Sequence, residues 1–271
     1  MIDLKNCTFI IPVRIESEDR MRNVITVLCY LLKTFDTKVI VKEVDVESVF
    51  QEAVLPQIRE YLGDSLNNLT HVFEKSDDPV FYRMKILNEM IAMCDTEIVV
   101  NYDGDVLLKP ETCLKAVEAI NDGCEMVYPY GFGEYQKQVF ADDEDVSEFI
   151  SEDFDFSILD KKSRMYDAQY GHVQFIKRWA YFAVGLENEN FRAYAPEDKE
   201  RYFRFTTLGY KVGRVNDVVY HLEHARGENS WFSNPHMQGN MNEWDKISKM
   251  DKKELLEYYS EQDYLRKYVS V

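Results

Sequence analysis

The stretch Glu97-Ile98-Val99-Val100-Asn101-Tyr102-Asp103-Gly104-Asp105 constrains this chain more than any other. Ile98, Val99 and Val100 form a short continuous apolar run. A half-solvated strand would alternate; an unbroken run marks a strand covered on both faces of a parallel sheet. It ends in Asp103-Gly104-Asp105. Open α/β sheets bind ligands in the crevice at the carboxyl ends of their strands, so two carboxylates there can act on a ligand. Gly104 lets the backbone turn and approach that ligand closely. Hard oxygen donors suit Mg or Mn, and such an ion suits a diphosphate. A strand-end turn with two solvated acids has the same sequence, so the rest of the chain has to decide.

The neighbouring segments repeat the alternation of strand and helix. Thr8-Phe9-Ile10-Ile11-Pro12-Val13 reads as a first buried strand. Ser17 is a good N-cap, with Glu18 and Asp19 in the first helical turn, where the dipole favours acids. Met21, Val24, Ile25, Leu28, Leu31, Leu32 and Phe35 recur at three- and four-residue spacing, a core-facing helix stripe. Lys38 to Val44 is β-rich, and Val49 to Leu62 reads as a helix. Pro79 suits the first turn of the next helix, whose buried stripe is Met84, Leu87, Ile91 and Cys94. Pro110 opens another, with Leu114, Val117 and Ile120 inward and Gly123 closing it, before a strand from Glu125 to Tyr130. This order predicts an α/β domain with a mostly parallel sheet.

After Gly133 the pattern changes. Residues 134–160 hold ten Asp or Glu and one Lys, the composition of a solvated insertion or arm. Apolar content returns at Gly171, and the tail from Glu243 to Val271 has helical spacing at Leu255, Leu256, Tyr259 and Leu265. With no internal repeat or low-complexity linker, one domain with additions is expected.

Composition limits the partners. The 271 residues are 45% hydrophobic, enough for a large core, and carry a formal charge of −17. That field repels nucleic acid and anionic membrane surfaces, so an anionic small substrate needs a metal or local arginines. The five cysteines have no Cys-x-x-Cys pair and read as reduced core thiols of a cytosolic protein. Neither a signal peptide nor an 18-residue apolar span is apparent, so a cytoplasmic protein is expected, at most peripheral to the inner membrane face.

Two further constellations carry chemistry. Pro196-Glu197-Asp198 precedes Tyr202, Phe203 and Leu208, which suit a helix interior. Two acids at a helix start satisfy the dipole; they could equally supply a base for a sugar hydroxyl. In His221-Leu222-Glu223-His224 a metal could join both rings on a helix, whereas on a straight strand they face apart. Val218 to Tyr220 read as strand, so shared ligation needs a bend after His221.

In this order the stretches resemble glycosyltransferases of the GT-A fold. The resemblance is greatest to the C-terminal catalytic domain of the β-1,4-galactosyltransferase family, with family-2 bacterial glycosyltransferases as near relatives. Ile11-Pro12-Val13-Arg14 is similar to the family's Pro-aromatic-Arg turn at the nucleotide, with Val for the aromatic residue. Phe81-Tyr82-Arg83-Met84-Lys85 matches its Phe-x-Arg-x-Lys start that holds uridine. Asp103-Gly104-Asp105 looks like its Asp-x-Asp, Glu197-Asp198 its Glu-Asp pair, and His221 with His224 its Met-x-x-His ligand pair. Tyr194 stands where the family has a sugar-contacting Trp, and Ala195-Pro196 replaces a Gly pair. The matches run over roughly residues 8 to 235.

The resemblance implies a Rossmann-like GT-A sheet flanked by helices. Residues 1–242 would form the catalytic domain, with 134–170 as the acidic insertion and 243–271 as a helical extension packed on it. It implies nucleotide-sugar binding by Pro12, Arg14, Phe81, Arg83, Lys85, Asp103 and Tyr194, and Mn2+ (or Mg2+) on Asp105, His221 and His224. Asp198 would be the base and Glu197 would orient the acceptor. The reaction would be inverting transfer from a UDP-linked donor, such as UDP-galactose or a UDP-N-acetylhexosamine, to a glycan or lipid-linked glycan in bacterial surface polysaccharide synthesis. Residues 225–238 are expected to form a lid covering the donor with Trp231. Two alternatives compete. A nucleotidyltransferase would carry a basic, Gly-rich loop after the first strand, where Ile15-Glu16-Ser17-Glu18-Asp19 is acidic and has no Gly. An inactive glycan-binding module on the same fold would need no base.

Overall fold

The computed structural model describes residues 1–64, 66–227, 229 and 234–268. Strand β1 (Ile2–Val13) begins before Thr8: Ile2 and Asp3 pair ahead of a register shift, and everything from Cys7 to Val13 is buried. Helix α1 (Glu18–Thr34) follows, and Phe35 opens β2 (Phe35–Asp45) rather than closing the helix. Ser17 takes the cap position but its hydroxyl makes no cap bond; it binds Asp19 instead. A π-helical turn at Phe50–Val54 runs into α2 (Leu55–Leu62), and β3 (Leu69–Lys75) adds an edge strand that the sequence pattern did not announce.

Helix α3 (Arg83–Met93) starts at Arg83, not Pro79, because Asp78 draws the Val80 N–H into a local turn. Then come β4 (Ile98–Tyr102), buried at all five residues, β5 (Val106–Leu108), α4 (Pro110–Asn121) and β6 (Met126–Tyr128). Helix α4 turns Cys113, Ala116 and Ile120 inward, and Leu114, expected there, is exposed. Gly123, at φ +99°, ends it as glycine alone does cheaply.

The acidic stretch folds. It forms β7 (Gln136–Val139), α5 (Asp143–Ser151), α6 (Phe156–Lys161) and β8 (Ser163–Met165). Its acids cap helices: Asp142 and Asp145 form a capping box on α5, and Asp155 accepts the Ser157 N–H on α6. Between the acids Phe149, Phe154 and Phe156 are buried, and the last two meet the Tyr30 ring of α1 edge-on at 5.3 and 5.7 Å. Where charge alone suggested a solvated insertion or arm, the chain forms a packed unit that three buried phenylalanines tie to the core.

The remaining elements are β9 (Val173–Lys177), α7 (Arg178–Ala183), α8 (Glu197–Leu208), β10 (Val212–Arg214), β11 (Val219–Leu222), α9 (Met237–Ile247) and α10 (Lys252–Ser260). The larger sheet has the order β10-β6-β9-β4-β1-β2-β3, parallel except for β9, which runs antiparallel to both neighbours. The smaller sheet has the order β5-β11-β7-β8. The two C-terminal helices lie on α8: Trp244 meets Phe203 at 5.7 Å, and the Tyr259 hydroxyl donates to buried Glu200. All five cysteines are buried free thiols, and among the described residues no helix is long and apolar enough to cross a membrane.

Candidate active site

The carboxyl ends of β1 and β4, the end of β11 and the start of α8 surround one cavity of about 590 Å³. Pro12, Arg14, Phe81, Arg83, Asp103, Asp105, Tyr194, Glu197, Asp198, His221 and His224 all line it.

The smaller sheet assembles one end. Strand β5 begins just after Asp105 and pairs antiparallel with β11, setting His221 opposite Val106; the Leu222 N–H donates to the Asp105 carbonyl at 2.7 Å. The strand stops at Leu222, where Asn23 of α1 donates to the Leu222 and Glu223 carbonyls and Asp19 accepts the Ala225 N–H. This is the bend that shared ligation requires. His224 Nε2 lies 3.0 Å from Asp105 Oδ2 and His221 Nε2 3.9 Å from Asp105 Oδ1. One ligand atom from each of the three lies within 4.8 Å of the others. His224 Nδ1 faces the Ala225 carbonyl at 2.7 Å, and His221 Nδ1 lies 3.1 Å from Glu223 Oε1 without a formed hydrogen bond. Partners of that kind fix the rings of metal-bound histidines. Asp105 Oδ1 is buried without a hydrogen bond. Burial opposes ionisation of Asp105, but His221 and His224 outweigh it and hold the carboxyl below its ordinary range. Two imidazoles and a carboxylate, one of whose oxygens has no hydrogen bond, form a donor set that fits a divalent ion such as Mn.

Gly104 keeps its place for a reason other than ligand approach. It has no left-handed φ, and a Cβ there would sit 3.2 Å from Val24 Cγ2 and 3.4 Å from Ile11 Cγ2. The glycine lets Asp103 and Asp105 ride directly on the core.

The other end is built by α8 on buried ion pairs. Arg201, fully buried, donates through Nη1 to Asp198 Oδ1 at 2.7 Å and through Nε and Nη2 to both oxygens of Glu187 at 2.6 and 3.0 Å. Asp198 remains partly exposed to the cavity, whereas Glu197 is buried with Oε2 unpartnered. Burial, and then the Asp198 charge, push the Glu197 carboxyl up to about 8 against the pull of Arg83. Arg83 joins the two ends: it hydrogen-bonds Asp103 and lies 3.9 Å from both Glu197 and Asp198. A Cβ at Gly171 would come within 3.3 Å of Asp198 Oδ2, so this backbone borders the carboxylate closely. Ala193 and Ala195, flanking Tyr194, hold left-handed φ values of 56° and 57°. For alanine each such residue costs about 1–2 kcal/mol, so the turn before Glu197 is strained.

Arg14 donates to the Val44 and Pro79 carbonyls at 2.9 and 3.0 Å, stands over the Phe81 ring and has Nη2 buried without a hydrogen bond. Lys85 does not reach the cavity; it pairs with Glu74 at 3.3 Å and Glu89 at 3.5 Å. Two residues along a helix is a turn of about 200°, so Arg83 and Lys85 point to opposite sides. Trp231 lies outside the described residues.

Four side chains at the site escaped the sequence reading. Arg201 is one helical turn after Asp198, a spacing that could have flagged it. Glu187, its partner, is distant in sequence and left no signal. His172, at φ +66°, is buried in the cavity wall with Nε2 unpartnered; burial, and then His221 beside it, bring its pKa down to about 3, so it is neutral. Tyr166 stacks on His221 with ring centres 6.0 Å apart.

No protein-family model matches the chain, and no curated protein matches its sequence. Solved structures share its fold. Residues 1–349 of S. aureus TarS, in complex with UDP-GlcNAc, superpose with a TM-score of 0.58 at 10% identity over 93% of this chain and 69% of that one. GalNAc-T7 with UDP, GalNAc and Mn2+ gives 0.57 at 12% identity over 93% of this chain and 50% of that one. The mannosyltransferase PcManGT of Pyrobaculum calidifontis, with GDP-Man and Mn2+, gives 0.51 at 14% identity over 98% and 83%. The chain has the GT-A glycosyltransferase fold. It spans about half the length of GalNAc-T7.

Proposed function

We propose that this chain is an inverting, metal-dependent glycosyltransferase acting on a UDP-linked sugar, with a glycan or lipid-linked glycan hydroxyl as acceptor. The observation that carries the reading is the pairing, across one cavity, of the Asp105–His221–His224 cluster with a solvent-reaching carboxylate, Asp198. A binding module has no use for such a carboxylate. Asp105, His221 and His224 would hold the ion, which supplies Lewis-acid neutralisation of the leaving diphosphate. Arg83 and Arg14 add positive charge to the cavity of a chain whose net charge is −17.

Asp198 accepts the acceptor's hydroxyl proton as that oxygen attacks the anomeric carbon opposite the departing nucleotide. Arg201, braced by Glu187, aims the carboxylate; Glu197, kept protonated by burial, donates a hydrogen bond to acceptor or donor oxygen. Tyr194 offers a ring face to sugar; of the expected lid, residues 228 and 230–233 lie outside the described residues. A single base distinguishes the reaction from glycoside hydrolysis, which uses two carboxylates flanking the bond. A bacterial surface polysaccharide is the product class that fits a chain with no paired cysteines.

The test is release of UDP from a panel of UDP-sugars with MnCl2, with and without glycan acceptors. The reading expects release that depends on both Mn and Asp198. Release of pyrophosphate from UTP and a sugar 1-phosphate, run beside the panel, would favour a nucleotidyltransferase instead, and binding of glycan with no turnover of any donor would favour the inactive module.

A further inference from the structure

The turn that carries Tyr194 into the cavity wall is not relaxed. Ala193 and Ala195 hold left-handed φ values of 56° and 57°, a region that glycine enters freely and alanine does not. Backbone of this kind persists only where its surroundings over-determine it. Asn240 of α9 supplies that constraint. It is 1% exposed, and its carboxamide joins the two ends of the turn. Its Oδ1 accepts the Arg192 N–H at 3.0 Å; its Nδ2 donates to the Arg192 carbonyl at 2.8 Å and to the Ala195 carbonyl at 3.0 Å. A longer contact reaches the Tyr194 carbonyl at 3.4 Å, which also accepts from Asn234 at 2.9 Å. Helix α9 has apolar contacts of its own: Trp244 packs on Phe203, and Ile247 is buried. A buried amide is costly to desolvate, so packing alone would favour an apolar residue in place of Asn240.

We propose that Asn240 is a positioning residue for the acceptor: by tying Arg192 to Ala195 it holds the left-handed turn, and the turn holds Tyr194 where the accepting sugar binds. The proposal rests on the glycosyltransferase reading given above. It brings a C-terminal helix, remote in sequence from the reactive groups, into the assembly of the acceptor end. The Asp198 carboxylate is held by different contacts. Arg201 grips it from the same helix, and Arg204 ties α8 to the carbonyls of Val184 and Leu186. Loss of Asn240 therefore frees the turn without releasing the base. The freed turn leaves the left-handed region at both alanines, and acceptor then binds only the fraction of molecules that returns to it. The kinetic signature is a raised acceptor KM at an unchanged kcat, with Mn and UDP bound as before at the His221 end.

The experiment measures UDP release with MnCl2. The donors are UDP-GlcNAc, UDP-GalNAc and UDP-galactose, and the acceptor probes are p-nitrophenyl β-glycosides of glucose, galactose and N-acetylglucosamine. The proteins are the full chain, Asn240→Ala, and Asn240→Ala combined with Ala193→Gly and Ala195→Gly. Asn240→Ala should raise the acceptor KM about tenfold or more, with kcat within about threefold and calorimetric UDP affinity at the parent level. The two glycines should bring that KM back to within about fivefold of the parent, because glycine enters the left-handed region without the strain that alanine carries. If Asn240→Ala binds no UDP, Asn240→Ser is read in its place against the same outcomes. An unchanged acceptor KM, or a raised one that the glycines leave where it was, overturns the proposal and makes Asn240 a packing residue of α9. A parent that turns over no donor with any acceptor fails the glycosyltransferase reading, and the inference with it; a parent that transfers sugar beside variants that do so equally well sinks the inference alone.

Discussion

The two ends of the cavity are held by opposite means. At the His221 end, backbone pairing between β5 and β11 brings the groups together, and Asp105 Oδ1 is left without a hydrogen bond. At the Asp198 end, the buried Arg201 guanidinium is filled by Glu187 and Asp198. The first arrangement has spare acceptor capacity, which suits a cation. The second already gives its guanidinium two carboxylate partners and keeps one of them aimed at the cavity. Binding and proton transfer are thereby assigned to separate elements, and substitutions should separate them.

The sharpest way to break that division is Asp198→Asn. Transfer should fall about 10²–10⁴-fold, the usual contribution of a general base, while Mn-dependent UDP binding measured by calorimetry stays at the parent level. Loss of both together would merge the two ends. Next is Glu223→Ala, which removes the group facing His221 Nδ1. Mn affinity should fall about 10- to 100-fold, as for other outer partners of metal-bound histidines, with Glu223→Gln intermediate. Equal Mn affinity in all three proteins would show that His221 needs no such support.

Smaller again is the effect of Glu197→Gln. Glutamine resembles the protonated acid, and the carboxyl is pushed up to about 8, so turnover below pH 7 should change less than about tenfold. A loss as large as that of Asp198→Asn would mean that Glu197 works ionised. The stability consequence has a definite sign. Between about 4.5 and 8 the folded state holds the Glu197 proton and the unfolded chain does not, so this group's contribution falls as pH rises through that window. Thermal melts of the parent should show that decline relative to Glu197→Gln; parallel pH profiles would remove it.

The sequence carried the reactive groups of both ends but not their supports. Asp103, Asp105, Glu197, Asp198, His221 and His224 stand in short motifs at element ends, where strand and helix boundaries can be read from apolar runs. Arg201 and Glu187 meet only once α8 is packed against the turn after α7, a contact that no local pattern encodes. Lys85 falls outside the cavity lining because helical phase turns it away from Arg83, which a motif match does not register. The residues from 134 to 160 were misread because counting charge hides three phenylalanines and the capping use of Asp142 and Asp155. Strand β3 is an edge strand with half-buried residues, and its weak alternation left it unmarked.

The central claim is that Asp105, His221 and His224 hold an ion that brings the nucleotide diphosphate into the cavity. Calorimetric titration of UDP into the parent and into Asp105→Ala, each with MnCl2 and with EDTA, tests it most directly. The account predicts a gain in UDP affinity on adding Mn to the parent and none in Asp105→Ala. Equal UDP affinity in the parent with Mn and with EDTA would contradict it.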